Sequence, residues 1–392
     1  MNILVLNAGS SSLKFEIITD RWVRVTRGAV ERIGGHATLR VQAADSETKQ
    51  IDAVVPDARA AVDLVLREAI PSGQSIQAAG HRVVHGGERF RNSVLITPEV
   101  LNGIRECVEL APLHNPANIR GIEAVQTVLG PTLPQVAVFD TSFHQQLPER
   151  AYLYPLPFDL YQRFKVRRYG FHGTSYRYLW SRYAALTGPA SERAKVIALH
   201  LGNGCSICAI EGGRPIDTSM GFTPLEGLMM GARSGDVDPS LVAFLSGKTG
   251  QSADQIESVL NNESGLLGVS GLTNDMRDLL KEANHNGNQR AQLAIEMFCY
   301  RACKYVGAYL AALGGADAII FSAGIGEHTP EIRARICQNL RWCGLMIDDS
   351  RNAAAIGREA IITTADSAVI AWVIPTDEEL MIAQDTYRLT HT

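Results

Sequence analysis

The chain has 392 residues, and its 46% apolar and 20% charged side chains are typical of a globular protein with a sizeable core. Its length exceeds that at which one hydrophobic core usually keeps growing, so we expect two domains. The formal net charge of −4 argues against a nucleic acid or a membrane surface as a partner. The first apolar run is too short for a signal peptide or a membrane span, which predicts a cytoplasmic location.

The first half of the chain opens with a strand–turn–strand pattern over residues 3–17. Periodicity then predicts, in chain order, antiparallel strands at 14–18, 22–30 and 37–42, a helix at 56–70, a strand at 76–84, helices at 98–110 and 117–129, and a buried strand at 136–139. Asp140 follows the last of these strands. Sheets of this kind bind ligands just beyond the carboxyl ends of their strands, so Asp140 is well placed for chemistry.

The second half of the chain begins after a stretch rich in proline and aromatic residues at 152–169, which predicts a connection without helix or strand. The predicted elements then are a helix at 175–186, a second antiparallel meander at 196–218, a loop at 224–233, helices at 239–245 and 288–313, a strand at 318–322, a turn at 323–328, a helix from about 330 and a strand at 369–374. Thr376 and Glu379 form a capping-box pattern for the last helix, which leaves Glu378 pointing outward.

An internal repeat connects the two halves. The stretch 196–210 has the outline of 3–17, with Gly202 at the place of Gly9 and Asn203 at the place of Ser10. This indicates a duplicated domain. Small residues in each turn let backbone N–H groups converge into an anion nest, and two facing nests are expected to hold the two ends of a polyphosphate. The alternative is a pair of ordinary β-hairpins with glycine-rich turns.

Several familiar motifs are excluded. Gly247-Lys-Thr249 is not a P-loop, because Val242 stands where that motif needs a glycine. The seven cysteines are odd in number and scattered, so we expect reduced packing thiols. Cys205 and Cys208 are expected on opposite faces of a strand, which argues against metal ligation.

A group of charged or imidazole side chains lies in glycine-rich, otherwise apolar segments, namely Arg82, Asp140, His172 and Arg233. Any one of them alone is more often half of a structural ion pair or a core histidine. Together they indicate a site with a surplus of positive or hydrogen-donating groups. Phosphoryl transfer needs such a surplus, because its transition state spreads negative charge over the equatorial oxygens. Asn7, Asp140 and Glu378 supply oxygen atoms suited to Mg²⁺ or its waters.

The order of motifs along the chain resembles that of the acetokinase family, within the fold of actin, sugar kinases and heat-shock chaperones. The matching stretches are 7–14, 81–87, 113–116, 139–141, 168–175, 200–204, 220–227, 324–327 and 375–378. The resemblance covers nearly the whole length. It implies an α/β fold of duplicated ribonuclease-H-like (actin-like ATPase) domains, each with a mixed sheet flanked by helices, and a cleft between the domains. The expected domains are residues 1–141 with 378–392, and residues 142–377.

The resemblance also implies an activity, the reversible reaction of ATP and acetate to acetyl phosphate and ADP with Mg²⁺, Mn²⁺ being an alternative metal. The implied catalytic residues are Asp140, His172 and Arg233, and the implied metal-binding residues are Asn7 and Glu378. The implied substrate-binding residues are Arg82, Val84, Leu113, Phe171 and Pro224. The implied nucleotide-binding residues are Lys14, His200, Leu201, Gly202, Asn203, Gly204, Asp275, Met276, Arg277, Gly324, Ile325, Gly326, Glu327 and His328. The implied assembly is a homodimer.

Two positions depart from the family pattern. Tyr176 stands where the family usually has a second histidine, and His328 stands where it usually has asparagine. With Tyr176, the chain lacks the second imidazole, so an essential role for that imidazole is in doubt. His328 lies in the predicted nucleotide turn, so it could change the preference for the nucleotide.

Acetate is already ionised at neutral pH, so the reaction does not need a base, and we expect Asp140 to organise Mg²⁺ or its waters. Propionate is the nearest alternative substrate, because one methylene changes selectivity by only about 1–3 kcal/mol. The branched Val84 favours acetate. A nucleotide-driven switch or filament subunit of the actin or chaperone type is the alternative from another class.

Overall fold

A computed structural model of the chain describes residues 1–44, 46–70 and 74–391. Its strands are β1 (Asn2–Ala8), β2 (Ser12–Thr19), β3 (Arg24–Glu31), β4 (Gly35–Ala43), β5 (Lys49–Val55), β6 (Ala78–Val83), β7 (Val94–Leu95), β8 (Gln135–Phe139), β9 (Lys195–Leu201), β10 (Cys205–Glu211), β11 (Arg214–Thr218), β12 (Ala318–Ser322), β13 (Ala360–Ile361) and β14 (Ile370–Val373). Its α-helices are α1 (Ala58–Ala69), α2 (Pro98–Glu106), α3 (Asn115–Leu129), α4 (Glu149–Tyr152), α5 (Phe158–Phe164), α6 (Gly173–Thr187), α7 (Ser240–Thr249), α8 (Ala253–Asn262), α9 (Gly265–Ser270), α10 (Met276–Asn286), α11 (Gln289–Leu313), α12 (Ala323–His328), α13 (Pro330–Cys337), α14 (Asp349–Ala354) and α15 (Glu378–Thr390).

The chain divides into two compact units. Unit 1 comprises Met1–Gln145 with Asp377–Thr392, and unit 2 comprises Gln146–Thr376. The role of each unit as a separate ATPase-like domain stays a prediction.

Unit 1 is built on a mixed sheet with the strand order β5-β4-β3-β2-β1-β6-β8-β7. Strands β1 to β4 form the predicted antiparallel meander, which β5 extends, whereas β1, β6 and β8 run parallel. One face packs on α1 and α3 through alternating apolar residues such as Leu4, Leu6 and Phe15. The other face packs on α15, where Ile382 lies in one apolar cluster with residues of β1 and β8.

The close approach of α15 to the sheet depends on a glycine in β6. A β-carbon on Gly80 would lie 2.3 Å from Thr386 Oγ1 and 2.6 Å from Ile382 Cγ2, so any larger residue would push the helix away. Since α15 carries Glu378 in its first turn, Gly80 sets how closely this carboxylate approaches the strand ends.

Unit 2 repeats this arrangement with the strand order β11-β10-β9-β12-β14-β13. Strands β9, β10 and β11 are antiparallel, and β9, β12 and β14 are parallel. The long helix α11 buries residues such as Phe298, Val306 and Leu310. Both units therefore contain an antiparallel meander followed by parallel strands with intervening helices, which confirms the predicted α/β fold with two mixed sheets.

Several local predictions are wrong. Residues 323–328 form the short helix α12 rather than a turn. The connection at 152–169 contains α5, which Pro157 precedes and a left-handed Lys165 ends. The last helix is capped by Asp377, whose carboxylate accepts the N–H of Leu380, rather than by a box of Thr376 and Glu379. The sequence shows three adjacent acceptors there, and only the backbone decides which one caps.

Other elements were not predicted, including the edge strands β5 and β7 and the helices α8, α9 and α10. A signal existed for α8, because Ser252 and Gln255 form a capping box at its start. The Gly247-Lys-Thr249 stretch lies at the end of α7, as its helical pattern indicates. The described cysteines are free thiols, and both Cys205 and Cys208 are fully buried. None of the helices in the described part of the chain is both long and apolar enough to cross a membrane.

Candidate active site

The ends of two parallel strands bring Arg82 and Asp140 together in unit 1. Val83 of β6 pairs with Phe139 of β8, so the preceding arginine and the following aspartate lie at the same edge of the sheet. The Arg82 Nε lies 3.0 and 3.2 Å from the two Asp140 carboxylate oxygens, and Nη2 lies 2.5 Å from Oδ2. Asp140 is buried, whereas the Arg82 side chain is partly exposed. Asp140 therefore orients Arg82 and leaves other N–H groups of the guanidinium for a ligand.

Glu378 adds a second carboxylate beside this ion pair. Its Oε2 lies 3.9 Å from the Arg82 Nε. Burial raises the pKa of Glu378 above the ordinary glutamate value, and the negative charge of Asp140 raises it further, while Arg82 opposes both effects. Two carboxylates therefore lie beside one arginine, and their oxygen atoms are of the kind that hard cations bind.

The start of α15 is fixed by an ion-pair network on the meander. Arg24 of β3 binds the carboxylate of Asp377, which caps the helix, and donates to Glu16 of β2 at 2.7 Å. Because Glu378 follows the cap directly, this network fixes the backbone from which its carboxylate extends.

A cavity of about 320 Å³ in unit 1 joins four of the predicted site residues, since Asn7, Lys14, Arg82 and Glu378 all line it. Asn7 and Lys14 face each other across the β1/β2 ladder. The cavity extends over β3 and β4 to Arg27 and other polar residues that the sequence did not indicate. Predicted metal, substrate and nucleotide residues of unit 1 thus share one space.

Two asparagines of α3 hold the loops at this edge. Asn118 accepts the N–H of Val84 at 3.0 Å and donates to the carbonyl of Ala8 at 2.9 Å. Asn115 accepts the N–H of His85 at 3.1 Å and donates to its carbonyl at 2.9 Å. Both asparagines are buried. They connect the segment after Asn7 to the segment after Arg82. The predicted metal-binding residue and the predicted substrate-binding residue are therefore held by the same buried hydrogen bonds.

In unit 2 the glycine-rich turn after β9 collects two other predicted residues. A β-carbon on Gly204 would lie 3.6 Å from the Arg233 Nη1 and 3.6 Å from the His172 Nε2. The Arg233 Nη1 also donates to the Pro224 carbonyl at 3.4 Å. The structure therefore brings His172 and Arg233 together beside the turn.

His172 has an unusual backbone conformation. Its φ of 58° lies in the left-handed region, which non-glycine residues adopt only when their surroundings hold them there. The ring stacks on that of His200, with centroids 4.1 Å apart. His200 Nδ1 in turn lies 2.9 Å from the Ser175 hydroxyl, which contacts Thr376 Oγ1 at 2.8 Å. Strain of this kind is concentrated at functional sites.

Two of the three nucleotide-binding segments predicted in unit 2, residues 200–204 and 324–328, are neighbours in the structure. Helix α12 packs on β9, and a β-carbon on Gly202 would lie 3.7 Å from the Ala323 Cβ. The Glu327 carboxylate accepts the N–H of Thr376 at 3.1 Å and so ties α12 to the segment before α15. The predicted residues 200–204 and 324–328 therefore lie side by side.

The third predicted nucleotide-binding segment, residues 275–277, forms hydrogen bonds among its own residues. Asp275 caps α10 and binds the exposed Arg277 side chain through both carboxylate oxygens, at 3.0 and 2.5 Å. Its hydrogen bonds with Arg277 lower the pKa of Asp275 to about 2. Met276 is buried. A nucleotide role for this segment stays a prediction.

The residues predicted to surround the methyl group of the substrate differ in exposure. In unit 1, Val84 is buried and Leu113 is 66% exposed. In unit 2, Phe171 is buried and Pro224 is half-buried. Among these, Leu113 and Pro224 offer the most surface to a ligand.

The predicted metal-binding residues of unit 1 offer oxygen donors. Among the described residues, no group of three or more histidine, cysteine, aspartate and glutamate side chains is arranged to hold a metal ion. Mg²⁺ in phosphoryl-transfer enzymes, however, uses one or two carboxylates, phosphate oxygens and waters. Glu378, with the Asn7 amide in the same cavity and Asp140 beside the shared arginine, supplies hard oxygen donors. This donor set fits Mg²⁺.

Comparison with known proteins decides the family. The model of the acetokinase family matches residues 2–384. The chain belongs to the acetokinase family. It is 54% identical over 405 aligned residues to the acetate kinase of Solibacter usitatus (strain Ellin6076), with 99% of this chain and 98% of the relative covered.

Two solved structures agree with this family. The acetate kinase of Porphyromonas gingivalis has a TM-score of 0.93 and 44% identity. The propionate kinase of Francisella tularensis subsp. tularensis SCHU S4 has a TM-score of 0.92 and 42% identity. Each comparison covers 99% of both chains. The resemblance drawn from the motifs is confirmed, and the fold is that of the acetokinases.

Some residues of this acetokinase emerge only from the structure. Arg333 of α13 is fully buried and donates to the carbonyls of Gly326 and Glu327, at 2.8 and 3.1 Å, and to those of Asn352 and Ala355, both at 2.8 Å. It thereby fixes the end of α12. Its Nε also donates to the Asn352 side chain at 2.8 Å. The other acceptors are backbone carbonyls, which leave no mark in the sequence. Asn118 left a weak signal, as a polar residue within an apolar helical pattern.

Proposed function

We propose that this chain is a phosphotransferase that reversibly moves the γ-phosphoryl group of ATP to acetate, giving acetyl phosphate and ADP. The observation that carries the proposal is the 54% identity to an acetate kinase along almost the entire chain. The geometry supports it, because each unit presents cationic or hydrogen-donating groups at a glycine-rich or strand-end edge. Such groups are suited to a reaction between two anions.

In the proposed reaction, a carboxylate oxygen of acetate attacks the γ-phosphorus, and the bond from that phosphorus to the bridging oxygen of ADP breaks. Acetate is ionised at pH 7, so no side chain has to remove a proton. Arg82, oriented by Asp140, binds the acetate carboxylate or the transferred phosphoryl group with its remaining N–H groups. His172 and Arg233 donate to the phosphoryl oxygens as negative charge spreads over them.

The proposed metal is Mg²⁺, with Mn²⁺ as an alternative, held by Glu378 and Asn7 with Asp140 beside them. When bound, the metal neutralises phosphate charge. ATP and ADP are the proposed nucleotides. Residues 200–204 and 324–328, adjacent in unit 2, and Lys14 in unit 1 are the proposed nucleotide contacts, with Asp275 to Arg277 as a further one.

Propionate is the second candidate substrate, because a solved propionate kinase matches this chain with a TM-score of 0.92. The proposed pocket for the alkyl group consists of Val84, Leu113, Phe171 and Pro224. One methylene in an apolar pocket is worth about 1–3 kcal/mol, so both acids are expected to react. The branched Val84 favours acetate.

The proposed assembly is a homodimer in the cytoplasm. Helix α11 exposes Leu293, Met297 and Tyr300, and Tyr300 is 64% exposed. Their spacing of four and three residues places them on one face of the helix. Exposed large apolar side chains on one face of a helix are typical of a protein–protein interface. Light scattering after size-exclusion chromatography should give the mass of a dimer, and Met297→Lys should give a monomer.

The experiment that tests the activity is incubation with ATP, Mg²⁺, hydroxylamine and either acetate, propionate or butyrate. Acetyl phosphate reacts with hydroxylamine, so hydroxamate should form with acetate fastest, with propionate more slowly and with butyrate least. Arg82→Ala, which leaves the unit 2 residues in place, is the control for contaminating enzymes and should form no hydroxamate. Release of ADP at the same rate without a carboxylate would instead indicate a nucleotide switch and contradict the proposal.

A further inference from the structure

A pair of buried hydroxyl groups lies behind His172 in unit 2. Ser206 of β10 places its Oγ 2.8 Å from the His172 Nδ1. The Tyr176 hydroxyl of α6 lies 2.5 Å from the same Ser206 Oγ. Both Tyr176 and Ser206 are fully buried. The three side chains thus form a continuous hydrogen-bonded chain from Tyr176 through Ser206 to His172.

A proton donated by Tyr176 would set the direction of every hydrogen bond in this chain. Burial raises the pKa of Tyr176 well above its ordinary value, so the phenol keeps its proton. When Tyr176 donates this proton to Ser206, the serine has its own proton left to donate to the His172 Nδ1. A ring nitrogen that accepts a hydrogen bond carries no proton itself, so the proton of the neutral imidazole lies on Nε2.

The Nε2 atom is the one that faces the candidate site. A β-carbon on Gly204 would lie 3.6 Å from it and equally far from the Arg233 Nη1. A donor on Nε2 therefore lies beside the donors of Arg233, at the turn where the phosphoryl group is proposed to react. With the proton on Nδ1 instead, Nε2 would present a lone pair and repel a phosphoryl oxygen.

We propose that Tyr176 and Ser206 are positioning residues that fix the Nε2–H tautomer of His172, so that this imidazole donates a hydrogen bond to the transferred phosphoryl group. The inference rests on the proposed phosphoryl transfer. It gives a function to Tyr176, the position at which the chain departs from the family pattern. The same hydrogen bonds help to hold His172 in its left-handed backbone conformation.

The kinetic test compares Tyr176→Phe, Ser206→Ala and the double variant. Each single variant should lower kcat by about tenfold, while KM for ATP and for acetate changes less than about twofold, because the lost interaction matters in the transition state. The double variant should be no slower than Ser206→Ala, since the proposed action of Tyr176 on the His172 tautomer passes through Ser206. Tyr183→Phe, on the same helix and also buried, is the matched control and should keep the parent kcat.

The tautomer itself is measured by ¹⁵N NMR of the histidine rings, with the His172 signals assigned by their loss in His172→Gln. We expect a protonated Nε2 in the parent protein and a mixture of both tautomers in Ser206→Ala. A protonated Nδ1 in the parent protein, or an unchanged tautomer in Ser206→Ala, would overturn the inference. This measurement needs no turnover, so it stays decisive even if no hydroxamate forms and the proposed function fails.

Discussion

The two units share a strand arrangement but hold their candidate site residues by different interactions. In unit 1, Arg82 is held by charged partners at a strand edge, namely the carboxylates of Asp140 and Glu378. In unit 2, His172 is held by the neutral Ser206 and by stacking on His200. Removing one partner of a buried ion pair leaves an uncompensated charge, whereas a lost neutral hydrogen bond costs less. Variants in unit 1 are therefore expected to affect stability as well as turnover, and those around His172 mainly turnover.

The largest effect is expected for Asp140→Ala. It removes the hydrogen-bonded carboxylate of Arg82 and leaves only the more distant Glu378, 3.9 Å away, so the free energy of unfolding should fall by about 3–5 kcal/mol, as measured by urea denaturation. Glu359→Ala is the matched control, because Glu359 also binds an arginine, Arg182, through both oxygens, but at the surface. The control should cost less than about 1 kcal/mol. If the free energy of unfolding falls equally in the two variants, the buried ion pair stabilises the fold no more than the surface pair does.

Arg82→Lys separates the charge from the geometry. Lysine keeps the positive charge but cannot bind Asp140 and a substrate anion with parallel hydrogen bonds. We expect kcat/KM for acetate to fall about 100-fold, which corresponds to about 2.7 kcal/mol of transition-state stabilisation. Arg182→Lys is the surface control and should leave kinetics unchanged. If Arg82→Lys keeps normal acetate kinetics, Arg82 does not bind the substrate.

Arg333→Lys examines the neutral framework of unit 2. Lysine has three donors on one nitrogen and cannot reach the carbonyls that Arg333 binds on both sides. The unfolding free energy should fall by about 2–3 kcal/mol. KM for ATP should rise more than KM for acetate, because the carbonyls belong to α12. Arg335→Lys, on the same helix but partly exposed, should change neither value.

The smallest expected effect is on how the free energy of unfolding depends on pH. Burial lowers the pKa of His81 in unit 1 to about 4, and its Nε2 lies 2.7 Å from the Gln135 side chain. Between pH 6.5 and 4 the unfolded chain binds the proton and the folded protein does not, so stability falls as the pH falls through this window. His81→Asn should remove about 2 kcal/mol of the loss seen between pH 7.5 and pH 5. An identical loss in the variant and the parent would contradict the buried neutral imidazole.

The sequence predicted the framework of both units better than their contacts. The repeat of 3–17 in 196–210 predicts the paired meanders, because apolar alternation and glycine turns are local signals. Arg82 and Asp140 were each located at a strand end, but their pairing depends on the β6/β8 register, which no local pattern contains. The carbonyl contacts of Arg333 and the link from Tyr176 to Ser206 depend on the packing of separate elements. Capping was ambiguous at Thr376 and Asp377, since both residues can accept an N–H.

The proposed contacts of Arg82, His172 and Arg233 with the transferred phosphoryl group can be seen in a crystal structure of the protein with ADP, Mg²⁺, aluminium fluoride and acetate, which together imitate that group during transfer. We predict that Arg82, His172 through Nε2 and Arg233 all lie within hydrogen-bond distance of the fluoride or the acetate, and that Glu378 and Asn7 lie at the metal, directly or through water. A complex in which Arg82 binds neither the acetate nor the fluoride, or in which His172 and Arg233 point away from the fluoride, would contradict the account.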